Sequence, residues 1–341
     1  MSTKLRIVFM GTPEFAVPPL QALVQSGHQV LLVVTQPDRP SGRGLRSHPS
    51  PVKEEAEKLG VPLFQPGRLK KSESIALLRE VSPDLVVTAA FAQWVPREIL
   101  SLPRHGCVNI HPSLLPRYRG PSPIERAILS GDSVTGVTLY LMDEGWDTGD
   151  ILAQESLPID PEETGGSLHR KLADLGAAMI PALLERMERG PLVGRPQDNR
   201  AATHAPPIRE EEALISWSGD ALFLERQVRA FNPRPCAYAW LQGRRIRILR
   251  ALAVPVPSGD AGGAAPAEAS ESLAGAKQGI TRAAAGGKAG TILSADRKRG
   301  LIVATARGAL RILELQPQGR KPMRAADFLN GHPLEEGSAW E

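Results

Sequence analysis

A chain of 341 residues, 42% apolar and 23% charged, is long enough for two domains and has the composition of an ordinary globular protein. Its two cysteines, Cys107 and Cys236, lie far apart in no CxxC pattern, which excludes a disulfide framework and fits a reducing, cytoplasmic setting. No signal-like or membrane-length apolar run is present, and the net charge of +4 is unevenly spread: Ala213–Arg324 carries 18 basic and 7 acidic residues, so a basic module follows an acidic one. Leu5–Met10 predicts a buried strand, and Gly11-Thr12-Pro13 ends it. Phe15, Leu20, Leu23 and Val24 give one helical face, and Gly27 stops that helix. Val30–Thr35 predicts a second buried strand, parallel to the first.

Gln36–Pro51 is polar and rich in Pro, Gly and Arg, and reads as a loop. Helices are predicted over Pro51–Gly60 and Ser72–Val81, then strands over Asp84–Ala90 and Gly106–His111. A helix at Pro123–Ser130, strands at Gly136–Asp143 and Asp150–Ser156, and a long amphipathic helix at Ser167–Glu188 follow. This alternation predicts a doubly wound, mostly parallel α/β domain over residues 1–189. Residues 190–207, polar and Pro-rich, read as a linker. A short helix at Leu222–Ala230 and about five short strands between Ala237 and Leu315 predict a small, OB-like β-barrel domain over 208–332. Within it, 257–288 is reduced to Ala, Gly, Ser and Glu and reads as a low-complexity insertion.

Several chemistries are excluded by missing motifs. There is no GxGxxG dinucleotide fingerprint, no P-loop and no GxSxG elbow. His105, Cys107 and His111 share one face of a strand, but a zinc site needs further ligands at a recognisable spacing, so no metal is assigned. Asn109 and His111 also share that face, at the carboxyl end of the strand where open α/β sheets bind ligands. Ser113, Leu114, Leu115 and Pro116 follow as a stiff segment whose apolar pair can wall a flat ligand. Downstream, Asp143–Asp150 is an acidic, Gly-bearing turn that suits either a catalytic carboxylate or a hard cation. The basic clusters Arg244-Arg245-Ile246-Arg247 and Arg297-Lys298-Arg299 suit a polyanion partner or a merely solvated face.

Two stretches taken together, Asn109-Ile-His111-Pro-Ser113-Leu-Leu-Pro116-Arg-Tyr-Arg-Gly and Met142-Asp-Glu-Gly-Trp-Asp147-Thr-Gly-Asp, closely resemble the signature of the 10-formyltetrahydrofolate-dependent formyltransferase family. Arg6-Ile-Val-Phe-Met-Gly-Thr-Pro-Glu-Phe-Ala, the stretch from Thr35 to Lys53, Arg229-Ala-Phe-Asn-Pro233 and Leu315-Gln-Pro are similar to the branch of that family acting on methionyl-tRNA. The resemblance covers roughly residues 4–332 without the insertion. It implies a Rossmann-like catalytic domain with a C-terminal tRNA-binding barrel. The implied reaction moves the formyl group of 10-formyltetrahydrofolate to the α-amine of initiator methionyl-tRNA, without a metal. It implies that Asn109, His111 and Asp147 are catalytic, that Ser113–Pro116 hold the folate, and that Arg39, Arg43, Arg46 and Lys53 lie on a tRNA-contacting loop. One site per chain needs no second subunit, so a monomer is expected. The sequence departs from the family at Ala92, where a glycine is common. A relative acting on a small amine shares the catalytic signature but has no need of a basic second module.

Overall fold

The structure, a computed structural model, describes residues 4–41, 46–254 and 288–340. The expected insertion at 257–288 lies outside the described residues except for Lys288. The chain divides into two compact units. The first comprises Met1–Ala127, Asp132–Pro161 and Ser167–Pro207; the second comprises Ile128–Gly131, Glu162–Gly166 and Ile208–Glu341.

Strand β1 (Arg6–Gly11) is buried at every residue after Arg6, as a run with no polar alternation requires. A turn at Glu14–Ala16 leads to helix α1 (Val17–Gln25), with prolines at its first positions, where no intrahelical N–H is needed. Strand β2 (Gln29–Val34) returns parallel to β1. The expected loop then contains a short antiparallel ribbon, β3 (Arg39–Ser41) with β4 (Arg46–His48). Helix α2 (Pro51–Lys58) starts at Ser50, whose Oγ accepts from the Lys53 N–H at 3.1 Å. Strand β5 (Leu63–Phe64), helix α3 (Ser72–Val81), strand β6 (Leu85–Ala89), helix α4 (Arg97–Leu100) and strand β7 (Cys107–His111) follow. Next come helix α5 (Pro123–Ser130), strands β8 (Val134–Leu141) and β9 (Ile151–Pro158), and helix α6 (Gly165–Arg189). Leu168, Leu172, Ile180, Leu184 and Met187 of α6 are all buried, the spacing of one helical face.

The seven strands lie in the order β5-β2-β1-β6-β7-β8-β9. Those from β5 to β7 are parallel, and β8 and β9 add an antiparallel edge. The chain leaves β1 toward β2 on one side and returns to β6 on the other. The carboxyl ends of β6 and β7 therefore open beside the point where the strand order reverses, the usual ligand position in such sheets.

Residues 190–207, polar enough to read as a linker, are hydrogen-bonded into the first unit. Arg195 and Ile151 exchange two backbone hydrogen bonds at 2.8 Å, and Ala205 N donates to Arg119 O at 2.7 Å. Polar side chains that suit a solvated linker suit equally well a strap whose partners are backbone groups.

In the second unit, helix α7 (Ala221–Ala230) is capped by Asp220, whose Oδ1 accepts from Leu222 N at 2.9 Å. Strands β10 (Tyr238–Leu241), β11 (Arg244–Val254), β12 (Ile292–Asp296), β13 (Gly300–Ala304), β14 (Ala309–Pro317) and β15 (Met323–Arg324) precede helix α8 (Ala325–Gly331). The sheet order is β10-β11-β14-β13-β12, with β15 on β14, all antiparallel. It is a half-barrel: no ladder among the described residues joins β10 to β12. Ile246, Ile248, Leu301, Val303, Leu310 and Ile312 fill it. The core extends past the expected boundary at 332: Trp340 is 2% exposed, packs against Trp217 with ring centroids 5.6 Å apart, and donates its backbone N–H to Gly290 O.

Gly136 of β8 is a sensitive point in the first unit. A Cβ there would sit 2.1 Å from Glu155 O and 2.6 Å from a Leu114 methyl carbon. Glu155 lies on β9 between Gln154 and Ser156, the partners of Thr138 and Gly136, so the backbone has little room to move. Gly136→Ala should destabilise the unit by about 3 kcal/mol. Thermal unfolding followed by circular dichroism should show a midpoint lower by roughly 5–10 °C.

Candidate active site

The site grows from three neighbouring strands whose register places polar residues side by side. Thr88 of β6 pairs with Asn109 of β7, and Asn109 pairs across the antiparallel edge with Tyr140 of β8. His111 lies two residues on, opposite Thr138. Thr88 Oγ1 donates to Asn109 Oδ1 at 2.6 Å, which fixes the orientation of the Asn109 amide. Asn109 Nδ2 donates to Tyr140 Oη at 3.1 Å, and Tyr140 Oη donates to Asp147 Oδ1 at 2.7 Å. The second N–H of Asn109 meets no acceptor among the described residues. Burial, then the charge of Asp147, holds the Tyr140 phenol well above its ordinary pKa, so it remains a hydroxyl donor.

Asp147 is carried by the turn between β8 and β9. Asp143 Oδ1 accepts from Gly145 N at 2.9 Å and Thr148 Oγ1 at 2.7 Å, closing the turn on itself. Asp147 adopts φ +54°, a left-handed conformation that Asp tolerates better than most residues. Its Oδ2 accepts from Gly120 N at 2.7 Å and lies 3.7 Å from His111 Nδ1. Gly120 has φ +120°, and a Cβ there would meet Ala205 O at 2.7 Å, so this donor position requires glycine. The other ring nitrogen, His111 Nε2, lies 2.9 Å from Tyr118 O. A carbonyl only accepts, so Nε2 carries a proton, and Nδ1 is the nitrogen left to meet Asp147.

Arg119, only 7% exposed, braces this arrangement through two side chains of the 190–207 strap. It donates to Gln197 Oε1 at 2.8 Å and Asn199 Oδ1 at 2.8 Å. Gln197 Nε2 in turn donates to Asp147 O at 2.9 Å and Gly149 O at 2.8 Å. Tyr140, Thr88, Gln197 and Arg119 were not singled out in the sequence. The signal for the first two is positional: both stand beside Asn109 once the strands are in register.

The structure disposes the expected folate segment unevenly. Ser113 is fully buried, and its Oγ donates to Arg117 O at 2.7 Å, inside its own loop. Leu115 is 3% exposed and packs with Tyr140 and Ile151; its backbone is held by Thr138 Oγ1 and Gln154 Nε2. Leu114 and Pro116 are partly exposed, and the Leu115–Pro116 peptide is cis. In the basic loop, Arg43 lies outside the described residues, and Arg39 and Arg46 form the backbone ribbon. Lys53 Nζ pairs with Asp38 Oδ2 at 2.6 Å; that hydrogen bond raises the Lys53 pKa and lowers that of Asp38.

Ala92 follows β6 with φ +59°, a conformation that favours glycine, and its side chain is exposed. Beside it, Trp94 is 45% exposed and Trp146 67%, and their rings meet at 5.4 Å. Arg97, the first residue of α4, pairs with Glu144 of the β8–β9 turn at 3.3 Å. The possible metal triad of the sequence separates. Burial pushes the Cys107 thiol up to about 12, leaving it a packed hydrophobe, while His111 is committed to Tyr118. Among the described residues no three His, Cys, Asp or Glu side chains are grouped to hold a metal ion.

Comparison with known proteins places this geometry in a class. The formyl transferase family matches residues 5–184, and the formyl transferase C-terminal domain matches residues 207–333. Solved structures share the fold. A sugar 3N-formyl transferase, WlaRD, superposes with TM-score 0.58 at 17% identity, over 94% of this chain and all of that one. HypX from Aquifex aeolicus, in complex with tetrahydrofolic acid, superposes with TM-score 0.61 at 19% identity, over 99% of this chain and about half (51%) of that one. In sequence the chain is 42% identical to the methionyl-tRNA formyltransferase of Citrifermentans bemidjiense, over 98% of this chain and 96% of that one. It is 45% identical to the same enzyme of Methylococcus capsulatus, over 97% and 98%. The chain belongs to the methionyl-tRNA formyltransferase family.

Two substitutions test the supports of this site. Gln197→Leu keeps the volume but strips the carbonyls of Asp147 and Gly149 of their donor, and should cost about 1–3 kcal/mol in unfolding free energy while lowering formyl transfer. Ala92→Gly relieves the left-handed backbone and should raise stability by up to about 1 kcal/mol, read as a higher denaturation midpoint.

Proposed function

We propose that this protein transfers the formyl group of 10-formyltetrahydrofolate to the free α-amine of methionyl-initiator tRNA. Asn109, His111 and Asp147 are assigned the catalytic work. The observation that carries the reading is the fixed amide of Asn109. Its oxygen is occupied by Thr88 and one N–H by Tyr140; the other N–H has no acceptor among the described residues and is assigned to a substrate oxygen. A preorganised, non-titrating donor is what a tetrahedral intermediate of acyl transfer needs.

The neutral amine attacks the formyl carbon, and the carbonyl electrons move onto its oxygen. Asn109 Nδ2–H donates to that oxyanion, and His111 donates from Nδ1 when that nitrogen is protonated, since Nε2–H is held by Tyr118 O. The attacking nitrogen then loses a proton, which Asp147 accepts directly or through water. The C–N bond to the folate breaks, and the folate nitrogen takes a proton as it leaves. The formyl carbon is already electrophilic, so no step calls on a metal ion. Leu114 and Pro116, the exposed part of the 113–116 segment, bear on the folate; Ser113 and Leu115 act from beneath by fixing the loop.

The basic second unit is assigned to the RNA. Arg245 stacks over the Tyr238 ring at 3.7 Å, and Trp240 beside it is 39% exposed, so flat faces and positive charge occur together. Such contacts position an RNA without reading its bases. The ribbon bearing Arg39 and Arg46, with Arg43 and Lys53, contacts the acceptor end, Lys53 exchanging Asp38 for a phosphate. The enzyme works as a monomer in the cytoplasm, where charged tRNA is found. No helix among the described residues is long and apolar enough to cross a membrane.

Purified protein should formylate initiator methionyl-tRNA from 10-formyltetrahydrofolate, and leave elongator methionyl-tRNA and free methionine essentially unmodified. Asn109→Ala and Asp147→Ala should each lower turnover by roughly 100-fold or more. Transfer to a small amine in preference to the tRNA would overturn the assignment of substrate. Affinity for tRNA should fall by roughly 100-fold between about 50 and about 200 mM salt through counterion release, and a flat profile would remove the basic unit from the scheme.

A further inference from the structure

We infer that Tyr140 is a positioning residue for formyl transfer, its hydroxyl aligning Asn109 and Asp147 as one assembly. The inference rests on the catalytic roles proposed for those two side chains and names the group that couples them.

The phenol oxygen has one proton and must serve two neighbours. A carboxylate can only accept, so the Tyr140 O–H points to Asp147 Oδ1, at 2.7 Å. The oxygen then accepts from Asn109 Nδ2, at 3.1 Å. With Thr88 donating to Asn109 Oδ1 at 2.6 Å, every hydrogen bond from Thr88 through Asn109 and Tyr140 to Asp147 runs in one sense. A run of that kind polarises its members cooperatively. An amide that accepts strongly at its oxygen is a better donor at its free N–H, the one assigned to the oxyanion.

The ring has little freedom to do otherwise. Tyr140 is 3% exposed and packs with Leu115 and Ile151. Its strand position is set opposite Asn109 by the β7–β8 register. The turn carrying Asp147 folds back tightly beyond it: a Cβ on Gly149 would lie 1.7 Å from Leu141 O and 3.2 Å from the Tyr140 ring. Without the hydroxyl, one N–H of Asn109 and one oxygen of Asp147 lose the partner they share; Asn109 is then held by Thr88 and Asp147 by the Gly120 N–H, with nothing aligning one to the other.

Tyr140→Phe keeps the ring and removes only the hydroxyl. Steady-state formylation of initiator methionyl-tRNA by this variant should show kcat lower by roughly 10- to 100-fold, with KM for both substrates within about twofold of wild type. A purely packing role leaves kcat unchanged, and a wild-type kcat for Tyr140→Phe, with Asn109→Ala and Asp147→Ala strongly impaired, overturns the inference alone. Wild-type turnover in Asn109→Ala and Asp147→Ala overturns the catalytic assignment beneath it. In an Asn109→Ala background, Tyr140→Phe should have a smaller effect than in wild type, because one of the two groups it aligns is gone; fully multiplicative losses in the double variant count against the inference. Thermal unfolding of Tyr140→Phe close to that of wild type confirms that kcat reports alignment, and a collapsed fold with a matching loss of both kinetic constants overturns the positioning role.

Discussion

The two oxygens of Asp147 tie the catalytic unit together. One accepts from the backbone N–H of Gly120, in the loop after β7; the other accepts from Tyr140, in the body of β8. Asp147 itself sits on the turn that follows. One carboxylate thus fixes three segments separated in sequence, and the position of the Gly120 backbone and the β8–β9 turn relative to Asn109 and His111 depends on it. Hydrogen bonds to a charged acceptor are the stronger kind, and here they act between groups that are mostly removed from water. Sheet register alone aligns Asn109 with Tyr140; the carboxylate converts that alignment into a site.

The strap 190–207 belongs to the same logic. The left-handed backbone at Asp147 is sustained by donors to the carbonyls around it, and Gln197 supplies two of them. Arg119 orients Gln197, and Asn199 helps to hold Arg119. The polar residues of this stretch do their work through backbone groups. It therefore has no apolar period for a sequence reading to detect.

Much of the frame was legible because the physics is local. β1, β2 and β6 are unbroken apolar runs, the mark of strands covered on both faces, and the period-2 spacing of Asn109 and His111 puts them on one face. What stayed hidden depends on pairing at a distance. Tyr140 reads as one more apolar strand residue, and only the antiparallel register with β7 turns its hydroxyl toward Asn109. Ser113 reads as a ligand contact, yet its hydroxyl is taken up by Arg117 O four residues on. Trp340 follows a Pro, Glu and Gly-rich stretch that carries no strand signal, and its segment joins the core through a short pairing of Ala339 with Thr291 and of the Trp340 N–H with Gly290 O. The half-barrel was legible as alternating short strands, but alternation cannot say whether the two edge strands meet.

The five tryptophans fall into two pairs and a single ring, and this has an optical consequence. Trp217 and Trp340 are packed within the core of the second unit, whereas Trp94 and Trp146 touch each other in water beside Asp147. Emission from the buried pair belongs at shorter wavelengths than emission from the exposed one, and two indoles at 5.4 Å are close enough for their excited states to mix. The catalytic unit thus carries a native chromophore pair, spectrally distinct from the core of its neighbour, whose coupling follows the spacing of the loops after β6 and β8 without any attached label.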